Sequence, residues 1–319
     1  MGYGLEMEYW DTDLHIIVPP YYRYYRSTLL SFYIFAIDSN KIFQLSNCIG
    51  KMRENYKQKV IDFFDGRTSY DFEGRGHPEN AKRFLDFVPA QPNQTILDIA
   101  TGTGLVAIPL AKFLENKGSV IGVDISTGML AQAKAKVIAG GIQNLELIES
   151  DIELIDFDNE QFDIISCCSG LVFISDIPTL LNRCHRWLKP GGCLAFTSSS
   201  KGSYLSEVRV RICKDLFGID LPHVIRPLWT PEKCKKLLRD SGFQNVEIEK
   251  HFFRKDRIDD DYGSTQIEKE FYPRGNPLLS LSDTQKQLLQ AEYKKAVDEL
   301  IAEQGIWQEA INLFVKAWK

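Results

Sequence analysis

The sequence predicts an α/β fold in which a doubly wound sheet of seven strands is covered by helices. Three observations carry this prediction. Short apolar runs at 96–99, 119–124, 145–149, 162–167 and 193–198 alternate with stretches whose apolar residues recur at helical spacing, the mark of strand–helix–strand units. The first run passes straight into a glycine turn, Gly102-Thr103-Gly104, that opens the next helical stretch. The chain's 319 residues, with 44% apolar content, are enough to bury one large core with additions around it.

Residues 1–51 read as an N-terminal extension. They hold Pro19-Pro20, an aromatic cluster at 21–25 and an apolar run at 29–37 that is about half the length a bilayer requires. No small-residue cleavage site follows, so a signal peptide is not expected. The cluster is open to two readings, an aromatic lid or an extension without a packed role. Met52 is a candidate natural start. Residues 52–94 are expected to supply N-terminal helices and a cofactor lid. Val60, Ile61, Phe63 and Phe64 give one apolar face; Pro78 opens a second helix with Ala81, Phe84, Leu85 and Val88 at helical spacing. The polar loop between them carries Tyr70, Arg75 and His77.

The glycine turn has two candidate owners. Gly102-x-Gly104-x-x-Ala107 satisfies the loose dinucleotide pattern, in which a pyrophosphate sits at the helix N-terminus. Asp98, four residues before Gly102, argues against a pyrophosphate, which it would repel, and for a ligand bearing an ammonium group. Asp124, twenty residues beyond Gly104, suits the vicinal hydroxyls of a ribose, which both candidate cofactors contain.

The stretch Asp98-Ile-Ala-Thr-Gly102-Thr-Gly104 resembles the first motif of the class I S-adenosylmethionine-dependent methyltransferases, of the small-molecule, ubiquinone-biosynthesis-like group, with Ala100 in place of the usual first glycine. The turn Leu188-Lys-Pro-Gly-Gly192 also matches the family. The resemblance implies a Rossmann-like sheet whose last strand, at 311–319, is antiparallel. It implies S-adenosylmethionine as cofactor, with Asp124 on the ribose, Ile125 and Met129 against the adenine, and Asp151 with Ile152 at the adenine amine and ring. Tyr70 and Cys167 join the expected cofactor contacts. A core at 95–198 should hold the cofactor, and 199–319 should supply substrate cap insertions and the last two strands, with the cap at 199–230 and 252–304.

Several classes are disfavoured. The net charge of −5, with no Lys/Arg run longer than two, gives no electrostatic footprint for nucleic acid. The fourth strand is not followed by the Asn/Asp-Pro-Pro-aromatic motif usual in enzymes that methylate nucleobase amines. Seven scattered cysteines without a Cys-x-x-Cys pair suggest reduced thiols, a cytoplasmic setting and no metal. The expected function is methyl transfer to a small organic acceptor, a secondary metabolite, quinone-like compound or lipid, by direct displacement. The alternatives are an NAD-dependent oxidoreductase and a non-catalytic cofactor-binding sensor or assembly subunit. His77, His223 and His251 are the candidate bases. The sequence leaves the oligomeric state open, and no stable membrane insertion is expected.

Overall fold

A computed structural model of the protein describes residues 10–11, 16–17, 55–72, 76–115, 117–200, 206–222, 226–228, 230–257, 276–304 and 307–319. The chain divides into two compact units, Met1–Asn55 and Tyr56–Lys319. In the first, the described strands are the antiparallel pair Trp10–Asp11 and Ile16–Ile17. The aromatic cluster at 21–25 and the candidate start at Met52 lie outside the described residues.

The second unit is built on a seven-stranded sheet. Its strands are β1 (Thr95–Ile99), β2 (Ser119–Asp124), β3 (Leu145–Glu149), β4 (Phe162–Cys167), β5 (Leu188–Ser199), β6 (Gln244–Arg257) and β7 (Trp307–Trp318), in the order β3-β2-β1-β4-β5-β7-β6. Strand β7 alone runs against its neighbours β5 and β6. This is the Rossmann-like sheet with an antiparallel last strand that the motifs implied. The winding reverses at β1, which pairs with β2 on one side and β4 on the other. A crevice opens at such a switch point because the connections leave it in opposite directions.

Both faces are covered. Helices α1 (residues 55–65), α2 (Gly76–Phe87) and α3 (Ala107–Leu114) precede or follow β1, and α4 (Thr127–Ala139) and α5 (Ile177–Trp187) follow β2 and β4. Phe84, Leu110 and Leu114 pack with Ile96 and Phe314 on one face of the sheet. Leu180, Leu181 and Trp187 pack with Leu97, Ile165 and Phe196 on the other. Local signals set the helix ends. Ser126 and Asp176 accept from the Met129 and Thr179 amides as N-caps, and Thr230 does the same for Lys233 at the start of α7 (Pro231–Asp240).

A smaller core lies in the additions. Helix α6 (Ser206–Phe217), which follows β5, packs Ile212 and Cys213 against Leu289, Tyr293 and Val297 of α8 (Asp283–Gln304). A capping box forms before α8: the Ser282 amide donates to Gln285 Oε1 at 2.9 Å and the Gln285 amide to Ser282 Oγ at 3.3 Å.

Two boundaries differ from the sequence reading. Residues 252–257, expected in the cap, continue β6, because β7 starts at Trp307 and offers a partner as far as Arg257. His251 and Phe252 therefore belong to the sheet. The Leu188–Gly192 turn merges into β5 through a register shift, with Phe162 opposite Leu188 but Ile164 opposite Cys193. Among the described residues, no helix is long and apolar enough to cross a membrane.

Candidate active site

A cavity of about 520 Å³ lies over the carboxyl ends of the strands at the switch point. Its floor begins with the glycine turn. Gly102 has a φ of +57°, and an added side-chain carbon there would meet nothing within 4 Å, so this backbone is open to close approach by a ligand. Ala100 adopts the left-handed region as well, with φ at 52°. Gly104 ends the turn without lining the cavity.

Three carboxylates come to this floor from three successive strands. Asp98, at the end of β1, is 2% exposed and accepts from Ser166 Oγ at 2.6 Å and Thr101 Oγ1 at 2.7 Å. Burial raises its pKa to about 6, the two hydroxyls opposing the shift and the Asp124 charge adding to it. Asp124 accepts from the Gly102 amide at 2.7 Å and the Ser126 amide at 2.9 Å, joining the glycine turn to the start of α4. Its carboxyl is also raised by burial, against the pull of those amides. Asp151 follows β3 and lies 3.1 Å from Lys57 Nζ, which also pairs with Glu153. Burial works to raise Glu153, but Lys57 and the Ser175 and Asp176 amides outweigh it and hold this carboxyl low.

The segment before β1 closes over the turn. Asp65 accepts from Ser126 Oγ and from the Gly128 amide at 3.0 Å, and Gln132 Nε2 donates to the Arg67 carbonyl at 3.0 Å. Asp71 accepts from Thr103 Oγ1 and pairs with Lys136, whose Nζ also donates to the Thr103 carbonyl at 2.8 Å. The same segment brings Tyr70 against His77, their rings stacked with centroids 4.3 Å apart, and Arg67 lies 4.5 Å over the Tyr70 ring.

The far end of the cavity is neutral. Asn80 of α2, Ser169 after β4 and Asn312 of β7 meet there, and Thr197 of β5 lies behind them. The Asn80 amide donates to Ser169 Oγ at 3.2 Å and receives a hydrogen bond from Asn312 Nδ2 at 2.8 Å. Phe64 and Phe173 wall this region, edge to face at 5.2 Å. Burial pushes the Cys168 thiol up to about 12 and the Cys167 thiol well above its ordinary value, so neither offers a thiolate at neutral pH.

Of the residues singled out from the sequence, Tyr70, His77, Asp98, Ala100 and Gly102 line the cavity, as do Asp124, Ile125, Met129, Asp151 and Ile152. Gly104 and Cys167 stand behind its wall. His251 stacks on Phe314 with centroids 4.1 Å apart and lies 2.7 Å from Glu249, away from the cavity lining. His223 and Arg75 lie outside the described residues. Lys57, Asn80 and Asn312 were not singled out. Asn80 does interrupt an otherwise apolar helical stripe, and Asn312 an alternating strand, but a polar residue in such a pattern does not show what it faces.

The fold and the open glycine turn with its acids define a doubly wound nucleotide-binding protein. Residues 96–192 match a family model described as a methyltransferase domain. Aklanonic acid methyltransferase from a Streptomyces species is 31% identical over 146 residues, 45% of this chain and 66% of that protein. Demethylmenaquinone methyltransferase of Geobacillus stearothermophilus is 26% identical over 223 residues, 63% and 95% of the two chains. The crystal structure of YcgJ protein from Bacillus subtilis, at 17% identity, shares the fold over 76% of this chain and 99% of its own, with a TM-score of 0.53. The methyltransferase domain and these relatives support a class I small-molecule methyltransferase, with S-adenosylmethionine as its methyl donor.

Proposed function

We propose that the protein methylates a small organic acceptor of quinone-like, polyketide or lipid type by direct displacement. The observation that carries this reading is one continuous cavity, acidic at the glycine turn and neutral with aromatic walls at its other end. The residues fit the cofactor. Gly102 leaves room for it, and the buried Asp98 charge suits its ammonium group. Asp124 would hold the ribose with its remaining lone pairs; Ile125, Met129, Asp151 and Ile152 would surround the adenine. Tyr70 and His77 would close over the amino-acid end. When bound, S-adenosylmethionine supplies a methyl group already activated on a sulfonium, so no covalent enzyme intermediate is needed, in keeping with the protonated Cys167 and Cys168.

The chain's own part is then to exclude water and to orient the acceptor. Such alignment lowers barriers by up to about 7–11 kcal/mol in favourable cases. His77 is the candidate base that lines the cavity. The relatives named for aklanonic acid and demethylmenaquinone support a flat, oxygenated acceptor. Incubation with labelled methyl donor and cell extract, followed by mass spectrometry of the product, tests the proposal. A labelled small molecule is expected, and label found solely on protein or nucleic acid would overturn it.

A further inference from the structure

We propose that Asn312, held by Asn80, is the hydrogen-bond acceptor that selects a neutral, hydroxyl-bearing aromatic molecule at the β4–β5–β7 end of the cavity. The inference rests on the methyltransferase reading and names the recognition group at its acceptor end.

The sheet order separates two regions. Asp151 and Gly102 follow β3 and β1 and Asp124 ends β2, whereas Ser169 follows β4, Ser199 ends β5 and Asn312 lies opposite Ser199 on β7. Neighbouring strands lie about 4.8 Å apart, so each region spans roughly 10 Å. The first contains the acids suited to the cofactor. The second has the width of a bicyclic aromatic ring system, and Phe64 and Phe173, in edge-to-face contact with each other, also line the cavity.

Asn312 is 7% exposed and lines the cavity, on a strand face where Phe314, two residues on, is fully buried. Its orientation follows from its neighbours. Asn80 Nδ2 faces Ser169 Oγ at 3.2 Å, Thr197 Oγ1 at 3.5 Å and Cys168 Sγ at 3.5 Å, which turns Asn80 Oδ1 toward Asn312. In this arrangement Asn312 presents Nδ2 to Asn80, and the 2.8 Å contact satisfies that donor. Asn312 Oδ1 is left with no protein partner among the described residues. This oxygen is open to the cavity that Asn312 lines, where a ligand hydroxyl can donate to it in place of water.

The charges argue for a neutral ligand at this end. The cations lining the cavity, Lys57 and Arg67, come from the segment before β1. Lys57 is engaged by Asp151 and Glu153, and Arg67 lies over Tyr70. Asn80, Ser169, Ser199 and Asn312 offer no cation to a phosphate. An amide oxygen is too weak a base to remove a proton, so the role of Asn312 is to orient the acceptor.

The test titrates the full chain, saturated with S-adenosylhomocysteine, with 1-naphthol and with 1-fluoronaphthalene by calorimetry. The expected result is at least about tenfold tighter binding of the naphthol, the worth of one buried hydrogen bond. In Asn312→Leu that ratio should fall to near one while S-adenosylhomocysteine affinity is retained. If Asn312→Leu does not fold, Asn312→Ala carries the same comparison. Equal binding or no binding of the two probes by the natural protein would overturn the inference, as would a ratio unchanged in the variant. Phosphoethanolamine binding more tightly than the naphthol would also overturn it. Failure to bind S-adenosylhomocysteine, with no transfer from a labelled donor, would remove the methyltransferase reading itself.

Discussion

The methyl group of Ala100 occupies the space that a side chain on Gly170 would need. The two residues follow β1 and β4, the strands that flank the switch point, so this contact sets how closely the two loops approach beneath the cavity. Ala100 has φ at 52° and Gly170 an ordinary right-handed φ of −91°. A side chain at Gly170 is therefore opposed by sterics alone, chiefly Ala100 Cβ and then Cys167 Sγ at 3.2 Å.

Gly170→Ala should destabilise the protein by about 1–3 kcal/mol, the usual cost of overpacking. Ala100→Gly should stay within about 1 kcal/mol of the natural chain, because relief of the left-handed alanine offsets the added freedom of the unfolded state. Combining the two should recover most of the loss. Urea unfolding of all four proteins reads the coupling, and strictly additive effects would show that the two residues do not compete for space.

If Asp98 faces the ammonium group as proposed, cofactor binding should depend on pH. With its carboxyl raised to about 6, it is ionised above that pH and progressively neutral below it. A ligand that carries an ammonium group binds the ionised form, so S-adenosylhomocysteine affinity should fall as pH drops below about 6, by up to about tenfold per unit. Asp98→Asn should flatten the profile. Because the folded pKa exceeds the ordinary value of 3.8, the linked stability runs the other way: it is greatest near pH 4 and declines through about pH 6. Calorimetry from pH 5 to 8 checks the binding arm.

Asp124→Ala removes the proposed ribose acceptor and also the partner of the Gly102 and Ser126 amides. Loss of at least about a hundredfold in S-adenosylhomocysteine affinity is expected, from one charged hydrogen-bond group and a loosened turn. Near-normal affinity by calorimetry would refute the ribose assignment.

Asp71 ties the segment before β1 to Thr103 and Lys136. Asp71→Asn should speed S-adenosylhomocysteine release several-fold while altering global stability by less than about 1 kcal/mol, since Lys136 is partly exposed. Stopped-flow release and hydrogen exchange over 56–72 measure it. Unchanged release would show that the tie does not hold the cofactor in.

The sequence by itself determined the sheet, the glycine turn and the acids at 98, 124 and 151. Each is a local pattern: an apolar run that stops at a polar residue, followed by a turn or cap that the same few residues encode. The helix starts at Ser126, Thr230 and the Ser282 box are local patterns of the same kind. Only the tertiary structure decided what meets at the other end of the cavity. Asn80 and Asn312 are 232 residues apart and come together because β7 inserts between β5 and β6 and carries Asn312 beneath α2. That pairing has no sequence period, since it depends on long-range strand order. The same insertion gave β6 a longer partner and drew His251 into the sheet, against Phe314. Likewise, Lys57 reads in sequence as one more surface cation, and only packing places it between Asp151 and Glu153.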